Sequence, residues 1–136
     1  MAGAFSLEGR KALVTGANTG IGQAIAVSLA GQGAHVICAG RRACDETVAE
    51  ISAAGGSGES LLLDFADPMA ARDVFDGAGI SILVNNAGII RRADSVEYSE
   101  ADWDDVMDVN LKALFFTCQA FGKALLAQGE KGAVIN

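Results

Sequence analysis

Ala12-Leu13-Val14-Thr15-Gly16-Ala17-Asn18-Thr19-Gly20-Ile21-Gly22 is the stretch whose reading decides the fold. An apolar run breaks into three closely spaced glycines and then resumes as a helical pattern. The helical pattern carries Ile21, Ala24, Ile25, Ser28 and Leu29 at 3.6-type spacing, and Gly31 and Gly33 stop it. The order is therefore strand, phosphate-sized loop, helix. Gly16 permits the tight turn off the strand, while Gly20 and Gly22 leave room for backbone to approach a pyrophosphate and for the helix to pack on the sheet. Unpaired N–H groups of the helix's first turn then face the phosphates. The spacing Gly-x-x-x-Gly-x-Gly differs from the commoner dinucleotide spacing Gly-x-Gly-x-x-Gly.

The same alternation continues along the chain. After a lead-in over residues 1–10, in which Phe5 and Leu7 can cover a sheet edge, the first strand spans Lys11 to Thr15 and the second His35 to Ala39. A helix from Asp45 to Ala54 ends at Gly55-Gly56, and the third strand runs from Ser60 to Leu63. Asp67-Pro68 predicts the N-cap and first turn of a third helix, with Met69, Val74 and Phe75 buried. A fourth strand, Ile80 to Val84, leads at once into Asn85-Asn86-Ala87-Gly88. The fourth helix starts at Ser99, with Asp102 at the capping-box position, and its apolar face runs from Trp103 through Leu111, Phe115, Cys118, Phe121 and Leu125 to about Gln128. That face is expected to be buried against the sheet or a partner subunit. The fifth strand is Ala133 to Asn136. Strands alternating with helices through short joins imply an α/β fold with parallel strands and right-handed crossovers.

Gly40-Arg41-Arg42 follows the second strand, where dinucleotide folds meet the adenosine ribose. A carboxylate there accepts from the ribose hydroxyls and repels a 2′-phosphate, whereas Arg presents a planar fork to phosphate. The arginines favour NADP(H) and leave NAD(H) open; a solvated basic turn is the plainer alternative. His35, the only histidine, stands on a strand with no second ligand or nucleophile nearby and is read as structural. The three cysteines, Cys38, Cys44 and Cys118, show no metal or disulfide spacing and read as reduced thiols, Cys38 and Cys118 as small core residues. No metal site is expected.

Thr15-Gly-x-x-x-Gly-x-Gly together with Asn85-Asn86-Ala87-Gly88 resembles the two signatures of the short-chain dehydrogenase/reductase family. The resemblance covers essentially the whole chain and implies a single doubly wound NAD(P)-binding Rossmann domain, residues 1–136, with strand order 3-2-1-4-5. It implies cofactor contacts from Gly16, Asn18, Thr19, Gly20, Ile21 and Gly22, from Arg41, from Asp64 and Phe65 at the adenine, and from Asn86, Ala87 and Gly88. It assigns Asn110 as the member of the catalytic tetrad that holds a water in the proton relay and locally distorts its helix; an exposed polar residue of low cost is the alternative. NADP users of the family often carry a basic residue just before the second glycine, where this chain has Thr19. Asn86 to Asp94 and Trp103 to Met107 further resemble the deoxygluconate and gluconate dehydrogenases of that family, which implies hydride transfer between nicotinamide C4 and a secondary alcohol or ketone of a sugar acid. Arg91 or Arg92 could pair with the substrate carboxylate, or equally with Asp94 or Glu97. A 3-oxoacyl reductase, or a non-catalytic dinucleotide-binding module, are the rival readings.

Composition bounds the partners. The 136 residues, 51% of them hydrophobic, suit one domain with a substantial core. A net charge of −7 with ten scattered Lys and Arg offers no footprint for nucleic acid or an anionic membrane. No apolar run approaches the roughly 18–20 residues needed to span a bilayer, and Met1-Ala2-Gly3-Ala4-Phe5 lacks the pattern of a signal peptide, so a cytoplasmic protein is expected; the family resemblance implies a homo-oligomer, dimer or tetramer, acting on a small molecule. The family also uses a Ser after the fifth strand and a Tyr-x-x-x-Lys as acid/base. The only tyrosine, Tyr98, is followed four residues later by Asp102, so these residues are expected to be the cofactor-binding half of a longer enzyme, incomplete at the C-terminal side.

Overall fold

The structure is a computed structural model and describes residues 3–136; Met1 and Ala2, the start of the lead-in, lie outside them. Its elements are β1 (Lys11–Thr15), α1 (Gly20–Gly31), β2 (His35–Gly40), α2 (Asp45–Ala53), β3 (Ser57–Leu62), β4 (Ile82–Val84), α3 (Glu100–Met107), α4 (Ala113–Gln128) and β5 (Ala133–Ile135), with a short 3₁₀ turn at Ser95–Glu97. The five strands form one parallel sheet in the order β3-β2-β1-β4-β5. This is the doubly wound order that the family resemblance implies, and its parallel strands are those expected from the strand–helix alternation. Because the chain reverses its winding after β3, β1 lies at the centre with β2 and β4 as neighbours, and a crevice opens where their carboxyl ends diverge.

Side chains alternate between the two faces of each strand, so both faces need cover. On one side Ala12, Val14, Val36 and Cys38 pack with Ala26 and Ala30 of α1 and Ile51 of α2. On the other, Leu13, Ile37 and Leu83 pack with Phe75 and with Phe121 and Ala124 of α4. Phe75 and Phe121 meet edge to face, their centroids 5.4 Å apart.

The structure departs from the sequence reading at several places. β3 begins three residues earlier than expected, because as an edge strand it pairs along the whole of β2, His35 to Gly40, whatever its own hydropathy. β4 begins at Ile82 rather than Ile80, since pairing with β1 starts only at Ala12. No helix follows Asp67-Pro68: the bonds Ala70 N–H to Asp67, Arg72 to Met69 and Val74 to Ala71 all span three residues, giving linked turns. The Asp67 carboxylate adds to them, accepting from the Met69 N–H at 2.9 Å and holding Arg72 at 3.0 Å. Ala71 and Phe75 are still buried, whereas Met69 and Val74 are only half-buried. Phe5 is exposed rather than covering a sheet edge, while Leu7 packs beside α1. Cys38 and Cys44 are the buried thiols and Cys118 is only partly buried. Among the described residues no helix is long and apolar enough to cross a membrane.

The expected single fourth helix is three segments. Ser99 caps α3 by accepting from the Asp102 N–H at 3.1 Å, yet the Asp102 carboxylate turns to Arg91 instead of closing a capping box. Residues Asp108–Lys112 then form a π-helical turn before α4 continues. That extra residue per turn rotates the apolar face, so Trp103, Leu111 and Phe115 stand more than half exposed while Phe121 is buried.

Candidate cofactor-binding site

The crevice at the carboxyl ends of β1, β2 and β4 is an open cleft of about 580 Å³. Its floor is the glycine loop. Gly16 leaves β1 with φ +63°, a conformation that L side chains rarely adopt, and a Cβ there would stand 2.9 Å from Asn86 Nδ2 and 3.0 Å from Ala87 Cα. A Cβ on Gly22 would lie 2.1 Å from the Gly16 carbonyl oxygen. Gly22 therefore does not line the cleft; it lets the first turn of α1 press against the loop from behind. Gly16, Asn18, Thr19, Gly20 and Ile21 line the space itself.

The Asn85–Gly88 turn is latched to β1. The Thr15 hydroxyl accepts from the backbone N–H groups of Asn86 and Ala87, both at 3.0 Å, and the Asn86 Nδ2 donates to the carbonyls of Thr15 at 3.1 Å and Gly16 at 3.2 Å. These bonds span some seventy residues of chain and hold Asn86, Ala87 and Gly88 in the cleft wall. The Asn85 amide reaches the other way, to Cys118 Sγ and Asn136 Oδ1.

Arg41 and Arg42 form the opposite end of the cleft, exposed, and among the described residues neither guanidinium has a hydrogen-bond or ion-pair partner. Asp64 and Phe65 stand beside them after β3; Phe65 is buried, and an Asp64 carboxylate oxygen accepts from the Ala66 N–H at 2.9 Å. Arg91 lines the far end, where its guanidinium lies 3.6 Å from Asp102 and 3.5 Å from Asp105. The arginine pairs with α3, and not with Asp94 or Glu97. Arg92 is exposed outside the cleft lining. Asn110 adjoins the lining residues Asp108 and Val109 from within the π turn; its Oδ1 accepts from the Ile89 N–H and its Nδ2 donates to the Ile89 carbonyl, each at 2.8 Å.

Two supports escaped the sequence reading. Thr15 reads as a strand end and the head of the glycine signature, with no partner assigned to its hydroxyl, and Thr47 has no role in the sequence reading, yet the fully buried Thr47 hydroxyl donates to the Ala17 carbonyl at 2.7 Å. A Ser or Thr buried at the first turn of a helix is the one signal that could have found the second. His35 makes a 2.6 Å bond to Ser57 on β3, a structural contact. Burial, aided by nearby Cys44, pushes the Cys38 thiol up to about 11, and burial raises Cys44 as well. Both stay protonated at neutral pH, so neither is an activated nucleophile. Among the described residues no His, Cys, Asp and Glu cluster could hold a metal ion.

The model of the short chain dehydrogenase family matches residues 10–136. The chain belongs to that family. Among curated relatives it is 46% identical to the 2-dehydro-3-deoxy-D-gluconate 5-dehydrogenase of Escherichia coli K12, over 98% of this chain and 54% of that protein. It is 41% identical to the gluconate 5-dehydrogenase of Gluconobacter oxydans, over 97% of this chain and 54% of that one. A solved structure from Agrobacterium tumefaciens, of a protein assigned as a 2-deoxy-D-gluconate 3-dehydrogenase with NADP bound, is 72% identical and superposes with a TM-score of 0.94 over 96% of this chain and 53% of its own. The chain spans about half the length of the curated relatives it matches. The family membership and the doubly wound order agree with the reading of the two glycine-containing motifs.

Proposed function

We propose that these residues are the dinucleotide-binding half of an NADP(H)-dependent dehydrogenase that interconverts a secondary alcohol and a ketone on a sugar acid. The observation that carries this reading is the meeting, in one cleft, of the glycine loop, the latched Asn86–Gly88 turn and two arginines whose guanidinium groups are unpaired among the described residues. A Cβ on Gly20 would meet nothing within 4 Å, so the loop backbone is bare to the cleft where a pyrophosphate would lie, next to the first N–H groups of α1. Arg41, with Arg42 beside it, would take the 2′-phosphate, Asp64 and Phe65 the adenine, and Asn86 to Gly88 the face of the nicotinamide half. Bound there, the cofactor supplies a hydride acceptor or donor at nicotinamide C4. The relatives named for deoxygluconate and gluconate support a sugar acid as substrate.

The cleft residues of this stretch orient the reactants and hold the proton relay rather than serve as its acid/base. Tyr98 is committed to the Arg91 carbonyl at 3.3 Å and is not followed by Lys at the fourth position. Asn110 spends both side-chain groups on Ile89, so the relay water assigned to it would be held by main-chain atoms of the π turn. The exposed Trp103, Leu111 and Phe115 support assembly of like subunits into a dimer or tetramer.

The test is turnover by the full-length protein. NADP-dependent oxidation of a gluconate-type acid is expected, and exclusive turnover of an acyl thioester overturns the assignment. Arg91→Ala and Arg92→Ala should each be assayed on the same acid. Losing one charge-assisted contact to the carboxylate raises KM by about tenfold or more with kcat less affected, whereas unchanged KM in both variants assigns the arginines to α3 and solvent.

A further inference from the structure

The turn that carries Arg41 and Arg42 is fastened to the glycine loop through the first turn of α2. Cys44, the residue before α2, provides no side-chain cap; its own N–H is taken instead by the Ser60 hydroxyl of β3 at 2.8 Å. One turn on, the Thr47 hydroxyl, with no solvent exposure, donates to Ala17 O at 2.7 Å. The Ala17 N–H is in turn held by the Ala39 carbonyl of β2 at 3.1 Å. The backbone of Ala17 is thus held on both sides of its Cα, and one of the two grips comes from the helix that begins where the arginine turn stops. The space between is tight: a Cβ on Gly40 would lie 3.3 Å from Asn18 Oδ1 and 2.9 Å from the Arg42 carbonyl oxygen.

From this arrangement we infer that Thr47 is a positioning residue for cofactor choice: it fixes the separation between the glycine loop and the Arg41–Arg42 turn, and with it the discrimination between 2′-phosphorylated and unphosphorylated dinucleotides. The inference rests on the proposed dinucleotide site. The physical argument is one of reach. A ligand held by its pyrophosphate on residues 16–21 offers its 2′-phosphate at one distance only, and an arginine contact is strong when both of its N–H groups meet oxygens, weak when the turn drifts. A ligand without that phosphate does not sense the drift. Ser60 acts on the same turn from the other side, from an exposed edge strand.

The experiment measures the dissociation constants of NADPH and NADH for the full-length protein, for Thr47→Val and Thr47→Ser, and for Ser60→Ala. Valine keeps the shape of threonine but leaves the buried Ala17 carbonyl without its donor, so the ratio of NADPH to NADH affinity should fall by about tenfold. Serine restores the hydroxyl and should restore the ratio. Ser60→Ala should move the ratio in the same direction, by about threefold for a more exposed bond, and it carries the test alone if Thr47→Val does not fold. An unchanged ratio in the folded variants, or equal loss for both nucleotides, overturns the inference while leaving the dinucleotide site intact. If the unsubstituted protein binds neither nucleotide, the site itself is misassigned and the inference falls with it.

Discussion

Gly22→Ala is expected to abolish NADPH binding and to lower the stability of the domain by about 3 kcal/mol, the upper part of the usual range for overpacking. The new Cβ would stand 2.1 Å from the Gly16 carbonyl oxygen, 2.8 Å from its carbon and 2.4 Å from Asn86 Nδ2. The first two are backbone and cannot swing aside. Either α1 lifts off the sheet or Gly16 moves, and because Asn86 bonds the carbonyls of Thr15 and Gly16, the second motif moves with it. Gly20→Ala provides the contrast. Its φ of +59° costs an alanine about 1–2 kcal/mol, but nothing stands within 4 Å of the added carbon, so it harms the fold less. Thermal unfolding of the two variants beside NADPH titration separates them. A Gly22→Ala protein as stable as Gly20→Ala shows that the loop does not pack as described.

Asn110→Ala is expected to cut turnover of the full-length enzyme by about a hundredfold or more, the usual scale for disabling a proton-transfer group, with the NADPH dissociation constant changed less than about threefold. Both side-chain bonds of Asn110 go to the backbone of one residue, Ile89, immediately after the Asn86–Gly88 turn. They clamp the π turn to the end of the cleft wall, so their loss lets Asp108–Lys112 relax toward an ordinary helix. Asn110→Asp keeps an acceptor for the Ile89 N–H and loses the donor to its carbonyl, and should fall between. If alanine lowers NADPH affinity and turnover in equal measure, Asn110 supports the cleft in general and the relay assignment fails.

How much of this was legible in the chain differs by the kind of force involved. The strand–loop–helix at Ala12–Gly22 was readable because three local requirements coincide there: an apolar run, glycines where no side chain fits, and helical periodicity after them. That the strands run parallel followed from short alternating elements, and their order from the family resemblance. Pairings between distant residues were not readable. That Thr15 would receive two N–H groups from residues 86 and 87, or Thr47 donate to Ala17, depends on contacts made only once the sheet exists. The π turn was invisible as geometry, because the apolar spacing through Val109, Leu114 and Cys118 is compatible with an unbroken helix; only the resemblance marked Asn110 as a point of distortion. The third helix failed for the opposite reason. Asp67-Pro68 is a helix start by local chemistry, but the same carboxylate closes a tight turn on Met69 and pairs with Arg72, and the segment buries Ala71 and Phe75 without helical bonding.

The central claim is that the cleft selects NADP(H) through Arg41, and the most direct measurement is the affinity of NADPH and NADH for the full-length protein and its Arg41→Ala variant. NADPH should bind the unsubstituted protein more tightly, and removal of Arg41, whose guanidinium makes no ion pair of its own, should weaken NADPH by roughly ten- to a hundredfold while leaving NADH nearly unchanged. Tighter binding of NADH, or an equal effect of Arg41→Ala on both nucleotides, contradicts it.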